Sequence, residues 1–256
     1  MRSWSVMVAA GLLVLAGCSS VPADSALNAG QSAEAQRRAE IRLQLASAYF
    51  AEGQYGTALA ELDQADKTGQ RRADVMGLRA LVLMQQGDTA GATRSLKQAL
   101  QSEPEHPGLL NNMGWLLCET GQFDEGLLYF RRALSIRSYT TPAKALLNAG
   151  RCSALAGRTE EAADFFQKAL GVDPAQLGAH ASLAKLAFDS GDYARAKIHM
   201  LRVLSGDSAA KEDYLMAVAI ERKLGDRVAE QSLRQQLKKR FSGTAAGSSL
   251  DEADER

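Results

Sequence analysis

The sequence lacks most of what would point to chemistry. No HExxH, no GxSxG and no phosphate-binding glycine loop followed by Lys-Ser/Thr occurs in its 256 residues, so neither metalloprotease, serine-hydrolase nor nucleotide-binding machinery is spelled out. Its three histidines, His106, His180 and His199, fall on separate segments without metal-ligand spacing and read as structural residues. No catalytic residue, metal, cofactor or small-molecule substrate is expected. Net charge is missing too: Lys plus Arg and Asp plus Glu number 30 each, so no bulk field draws the chain to nucleic acid. The longest apolar run, Val6 to Gly17, has 12 residues, too few to cross a bilayer. Proline is scarce, at 5 residues, and an Ala- and Leu-rich chain with few prolines suits helices.

What is present is a repeat. Leu110 to Leu134 reads as two helices separated by Gly121, with Leu110, Met113, Gly114 and Leu117 on one face of the first. Phe123, Gly126, Phe130 and Ala133 share one face of the second at the same spacing. The turn glycine recurs at Gly53, Gly87, Gly121, Gly157, Gly191 and Gly225, with gaps of 34, 34, 36, 34 and 34. The register extends beyond it. Seven residues before stand Ala46, Ala80, Gly114, Gly150, Ala184 and Val218. Five after stand Ala58, Ala92, Gly126, Ala162, Ala196 and Glu230, and nine after Leu62, Leu96, Phe130, Phe166, Met200 and Arg234. A period of 34 with a helix–turn–helix unit is the signature of a tetratricopeptide repeat. The expected fold is all-α, a right-handed superhelix of about six such repeats.

The repeats are assigned to residues 39–72, 73–106, 107–140, 143–176, 177–210 and 211–241, with Thr141 and Pro142 as a two-residue insertion. The sixth is degenerate, because Glu230 and Arg234 replace apolar residues; a polar last repeat lets a solenoid end without exposing its core. Its basic cluster, Arg234, Lys238, Lys239 and Arg240, is read either as a solvated capping face or as a contact for anionic lipid or a partner. Residues 242–256, rich in Gly, Ser and acidic side chains, are expected to be a disordered tail.

Residues 1–17 look like a signal peptide, with Arg2 before a short apolar core. The ending Leu15-Ala16-Gly17-Cys18 resembles the lipobox of bacterial lipoproteins. That resemblance implies cleavage before Cys18 and its lipidation, and Ser19 in place of Asp implies the outer membrane with the body in the periplasm. The alternative is an ordinary secreted protein with an incidental cysteine. More than one acyl chain makes attachment stable. Residues 18–38 are read as lipidated Cys18 and a flexible tether; about 18 such residues span roughly 20–25 Å.

In this repeat family the first helix of each pair lines the concave face, which usually holds extended peptides or a partner's helix. Transferring its inward positions gives Phe50, Leu81, Met84, Asn111, Trp115, Cys118, Leu147, Arg151, Lys185 and Phe188. Asn112 and Asn148 occupy one position in consecutive repeats. Each amide can pair with a bound backbone or bridge neighbouring helices. Trp115 is either a binding anchor or a packing residue with partial exposure. Cys118 and Cys152 lie on the first helices of repeats 3 and 4, which pack side by side. They form either a bridge, suited to an oxidising periplasm, or two buried thiols. A bridge would close a loop of about 35 residues, worth roughly 3–4 kcal/mol.

The runs Leu109–Cys118 (LLNNMGWLLC), Tyr139–Pro142, Leu146–Cys152 (LLNAGRC) and Gln236–Phe241 (QLKKRF) together resemble the PilF/PilW type IV pilus biogenesis lipoproteins. The family pattern usually has Tyr where this chain has Met113. Both cysteines belong to these motifs, which favours their pairing. The resemblance implies an outer-membrane pilotin that binds secretin subunits of the type IV pilus and promotes their localisation and multimerisation. The competing expectation is a periplasmic repeat lipoprotein acting as an adaptor for cell-wall enzymes or a protease.

Overall fold

Repeats written in helix formers around a fixed glycine give antiparallel helix pairs. The computed structural model describes residues 23–206 and 208–241 and has, among them, twelve helices and no strand. They are α1 (Ala23–Ala51), α2 (Tyr55–Asp66), α3 (Arg72–Gln85), α4 (Thr89–Ser102), α5 (Pro107–Glu119), α6 (Phe123–Ser135), α7 (Pro142–Leu155), α8 (Thr159–Val172), α9 (Leu177–Asp189), α10 (Tyr193–Leu204), α11 (Lys211–Leu224) and α12 (Arg227–Phe241). No described helix is long and apolar enough to cross a membrane.

The turn inside each pair is made by the register glycine. All six sit in the left-handed region, at φ from 73° at Gly53 to 84° at Gly191, where a Cβ would be strained. At Gly121 the amide bonds to the Cys118 carbonyl at 3.0 Å, and the Gln122 amide to the Leu117 carbonyl at 2.8 Å, so the closing turn satisfies the helix's last carbonyls. Asp88, Asp192 and Asp226 follow three of these glycines. Their carboxylates accept from the amides of Gly91, Arg195 and Ala229 and cap the next helix.

Glycine also sets how close the helices come. A Cβ built on Gly126 would lie 2.8 Å from the Gly114 carbonyl oxygen, so α5 and α6 touch backbone to backbone. The Phe166 ring fills the place over Gly150, where a Cβ would meet it at 2.5 Å. Phe130 and Phe166 are at most 1% exposed, and burying each is worth roughly 1.5–3 kcal/mol.

Odd-numbered helices pack on one another, α1 on α3 through to α9 on α11, whereas successive even-numbered helices do not pair comparably. The odd helices are thus the inner layer and the even ones the outer, which bends the stack into a superhelix. The core is a succession of clusters along the stack: one joins Leu43 and Leu62 to Val75 and Val82, another Met76 and Leu96 to Leu109 and Met113. A third joins Phe130 and Leu147 to Phe166 and Leu183.

One expectation needs adjusting. The flexible tether assigned within residues 18–38 is helical from Ala23, as the start of α1. From Gln31 to Arg38 this helix is almost entirely exposed. Without a partner to bury, it shows no apolar periodicity, yet Ala, Gln, Glu and Arg still favour helix. The two inserted residues start α7, Thr141 as its N-cap and Pro142 as its first residue, where a fixed φ and a missing N–H suit. The signal segment 1–17, Cys18 and the tail 242–256 lie outside the described residues.

Candidate functional site

The inner layer presents one row at a single register position, six residues before each turn glycine: Ser47, Leu81, Trp115, Arg151, Lys185 and Ala219. Leu81 and Trp115, from α3 and α5, are half-buried, while Arg151 and Lys185, from α7 and α9, are exposed. The row is therefore apolar on repeats 2 and 3 and cationic on repeats 4 and 5. Lys185 is paired with Asp189 at 2.9 Å. Arg151 has no such pair among the described residues, and desolvation by its surroundings holds its guanidinium below the usual arginine pKa. One guanidinium nitrogen lies against Gly178 of α9, 3.4 Å from where a Cβ would stand. Leu155, 57% exposed at the end of α7, adds an apolar side chain. Its register column otherwise holds Ala51, Gln85, Glu119, Asp189 and Lys223, so Leu155 is the one large apolar residue there, and only column-by-column comparison singles it out.

Several expected groove residues lie beneath this surface. Asn111 is 3% exposed and Leu147 8%. Leu147 packs against Gly178, where a Cβ would meet it at 2.9 Å. The three asparagines form a chain across the inner layer. Asn112 Nδ2 donates to the Gly77 carbonyl at 3.3 Å, Asn111 Nδ2 to Asn112 Oδ1 at 3.2 Å, and Asn148 Nδ2 to Asn111 Oδ1 at 3.0 Å. These bonds tie α3, α5 and α7 together, so of the two readings of Asn112 and Asn148 the structure has the bridging one. Met84 and Trp115 are half-buried against the inter-repeat clusters. Phe50 and Phe188 pack on Tyr55 and Tyr193, with ring centroids 6.0 and 5.3 Å apart.

Cys118 and Cys152 are 2% and 0% exposed. Their Cα atoms are 5.5 Å apart and their sulfurs at bonding distance, the arrangement of a disulfide between α5 and α7. It lies in the same inter-helix seam as the Asn111–Asn148 bond.

Two arginines of the basic cluster on α12 are engaged in packing and pairing. Arg234 pairs with Glu230 at 3.0 Å, and Arg240 lies 5.8 Å from the Tyr214 ring centroid. Lys238 and Lys239 are exposed.

Two of the histidines, half-buried as structural residues are, come together. His180 of α9 and His199 of α10 meet, Nδ1 to Nδ1, at 3.0 Å. The contact was not legible because 19 residues and a turn separate them. Burial, with His180 and Arg195 alongside, holds His199 below the ordinary imidazole pKa. His106 caps α5, its Nδ1 accepting from the Leu109 amide at 3.2 Å.

Comparison with known proteins fits this architecture. One tetratricopeptide repeat model matches residues 83–149 and 153–219, and a second matches residues 43–92. The chain is 23% identical over 230 residues to the type IV pilus assembly protein PilF of Pseudomonas aeruginosa, covering 90% of each. The crystal structure of PilW, described as a widely conserved type IV pilus biogenesis factor, superposes with a TM-score of 0.69 at 27% identity, over 83% of this chain and 97% of that one. The structure of Pseudomonas aeruginosa PilF superposes with a TM-score of 0.66 at 20% identity, over 86% and 99%. The chain belongs to the tetratricopeptide repeat family, and the relatives it resembles along most of its length include type IV pilus biogenesis proteins.

Proposed function

We propose that this chain is an outer-membrane lipoprotein that binds type IV pilus secretin subunits and promotes their delivery to, and multimerisation in, the outer membrane. Lipidated Cys18 supplies the membrane address. The concave face of the superhelix supplies the grip, and no covalent chemistry takes place. The observation that carries the reading is the match to PilF over nine-tenths of both chains, which takes in most of the superhelix rather than a few repeats.

The inner row adds a binding chemistry. Leu81 and Trp115 offer an apolar anchor point, and Arg151 offers a cation one helix further along. Neighbouring helix axes lie roughly 8–10 Å apart, about three residues of extended chain. The favoured ligand is thus an extended segment with an apolar side chain and, about three residues away, a carboxylate.

Replacing Cys18 by Ala tests the address. The expected result is a folded, soluble protein in cells that make secretin but lack its multimers. Normal multimer levels in that variant would overturn the mechanism. Trp115→Ala together with Arg151→Glu tests the grip; the variant should stay folded and lose co-purification with secretin. Recovery from envelope extract of a cell-wall hydrolase or protease, with no secretin, would replace this reading by the adaptor one.

A further inference from the structure

Away from the inner row, the two helices of repeat 5 bring two imidazoles together. His180, in the first turn of α9, and His199, in the middle of α10, are both half-buried, with ring centroids 5.3 Å apart. His180 Nε2 lies 3.2 Å from the Pro174 carbonyl oxygen. A carbonyl only accepts, so Nε2 carries a proton, and when the ring is neutral its Nδ1 is a lone pair. The hydrogen between the two Nδ1 atoms therefore comes from His199.

We propose that His180 and His199 form a two-imidazole chelate for a divalent transition ion of the zinc, nickel or copper class, each ring contributing its Nδ1. Imidazole suits these metals. The spacing fits one ion. With metal–nitrogen bonds of about 2.0–2.1 Å, nitrogens 3.0 Å apart close a ligand angle of roughly 90–100°. The second nitrogen of His180 is already held by a backbone carbonyl, the kind of hydrogen bond that orients a metal-bound imidazole. The proton balance closes. His199 moves its ring hydrogen from Nδ1 to Nε2, both Nδ1 lone pairs face the ion, and one hydrogen bond between the rings is exchanged for two coordinate bonds.

No group of three or more His, Cys, Asp or Glu able to hold a metal occurs among the described residues, so water completes the coordination and the ion is held weakly enough to exchange. Arg195 lies one turn before His199, and its charge acts on that ring; it opposes cation binding. An ion here would clamp α9 to α10 and stiffen repeat 5.

Titrating the purified protein with Zn(II) against a chelating dye tests the site. One ion per chain is expected, with affinity falling about tenfold or more in His180→Gln and in His199→Gln. His106→Gln should leave it unchanged and Arg195→Met should raise it. Because a substituted ring could disturb packing, the wild-type protein gives an independent readout. On Zn(II) addition the ring-nitrogen NMR signals should show both Nδ1 atoms ligated and the His199 proton on Nε2. Binding that survives both glutamine variants, or imidazole nitrogens that do not shift with Zn(II), would overturn the proposal.

Discussion

Repeats 3 and 6 occupy one register with opposite chemistry. In repeat 3 the positions three before, five after and nine after the turn glycine hold Cys118, Gly126 and Phe130, all buried. In repeat 6 the same positions hold Arg222, Glu230 and Arg234. Glu230 Oε1 lies 2.9 Å from Arg222 Nε and 3.0 Å from an Arg234 guanidinium nitrogen. The central repeat closes on an aromatic ring and touching backbones; the last one closes on an ionic triad half in solvent. Leu237, Leu233 and Phe241 then seal the end against Tyr214 and Ala209. Ion pairs at a surface add little, whereas a sealed aromatic core adds much. Stability should therefore be concentrated in the middle of the stack.

Phe130→Ala should lower unfolding free energy by about 3–5 kcal/mol, since it empties a site that Gly114 and Gly126 cannot refill. Urea denaturation measures this, and a loss below that of Arg234→Ala would break the comparison.

Next comes the seam between repeats 3 and 4. The oxidised protein should contain no free thiol after denaturation once Cys18 is replaced. Converting both Cys118 and Cys152 to Ala should cost about 3–4 kcal/mol in the chain-entropy estimate. Two reactive thiols in the denatured, unreduced protein would show that the pair is not bridged.

Asn111→Ala leaves the amides of Asn112 and Asn148 without their mutual partner. It should cost about 1–3 kcal/mol, read in the same assay.

The smallest effect lies at the far end. The hydrogen bond from Arg222, joined by Arg234, holds the Glu230 carboxyl below its ordinary pKa. A depressed carboxyl stabilises the fold above its unfolded-state pKa, and that contribution fades as pH falls through the lower folded value. Glu230→Gln should therefore narrow the stability difference between neutral and acid pH slightly, and only at low salt. An effect as large as that of Asn111→Ala would mean that the cap is not the weak end.

Much of this was legible because the repeat is periodic. A glycine every 34 residues locates each turn, and the companion positions locate the faces that close each pair. Leu81, Trp115 and Arg151 fall on the inner layer as the register requires. Asn111 and Leu147, assigned to the groove by position alone, face the neighbouring odd-numbered helix instead. A register position defines an angle around one helix, and the distance to the next helix decides whether that angle meets solvent. The N-terminal half of α1 was missed for a related reason: apolar periodicity reports a buried face, and an exposed helix has none to report.

By itself, the sequence determined the repeat unit, its turns and its closing residues, because glycine stereochemistry and apolar spacing act within 34 residues of one another. Only the tertiary structure decided which asparagine amides reach a neighbouring helix, that the two sulfurs meet, and that His180 faces His199. Those contacts depend on the separation and rotation between helices, which follow from side chains packing across the whole stack.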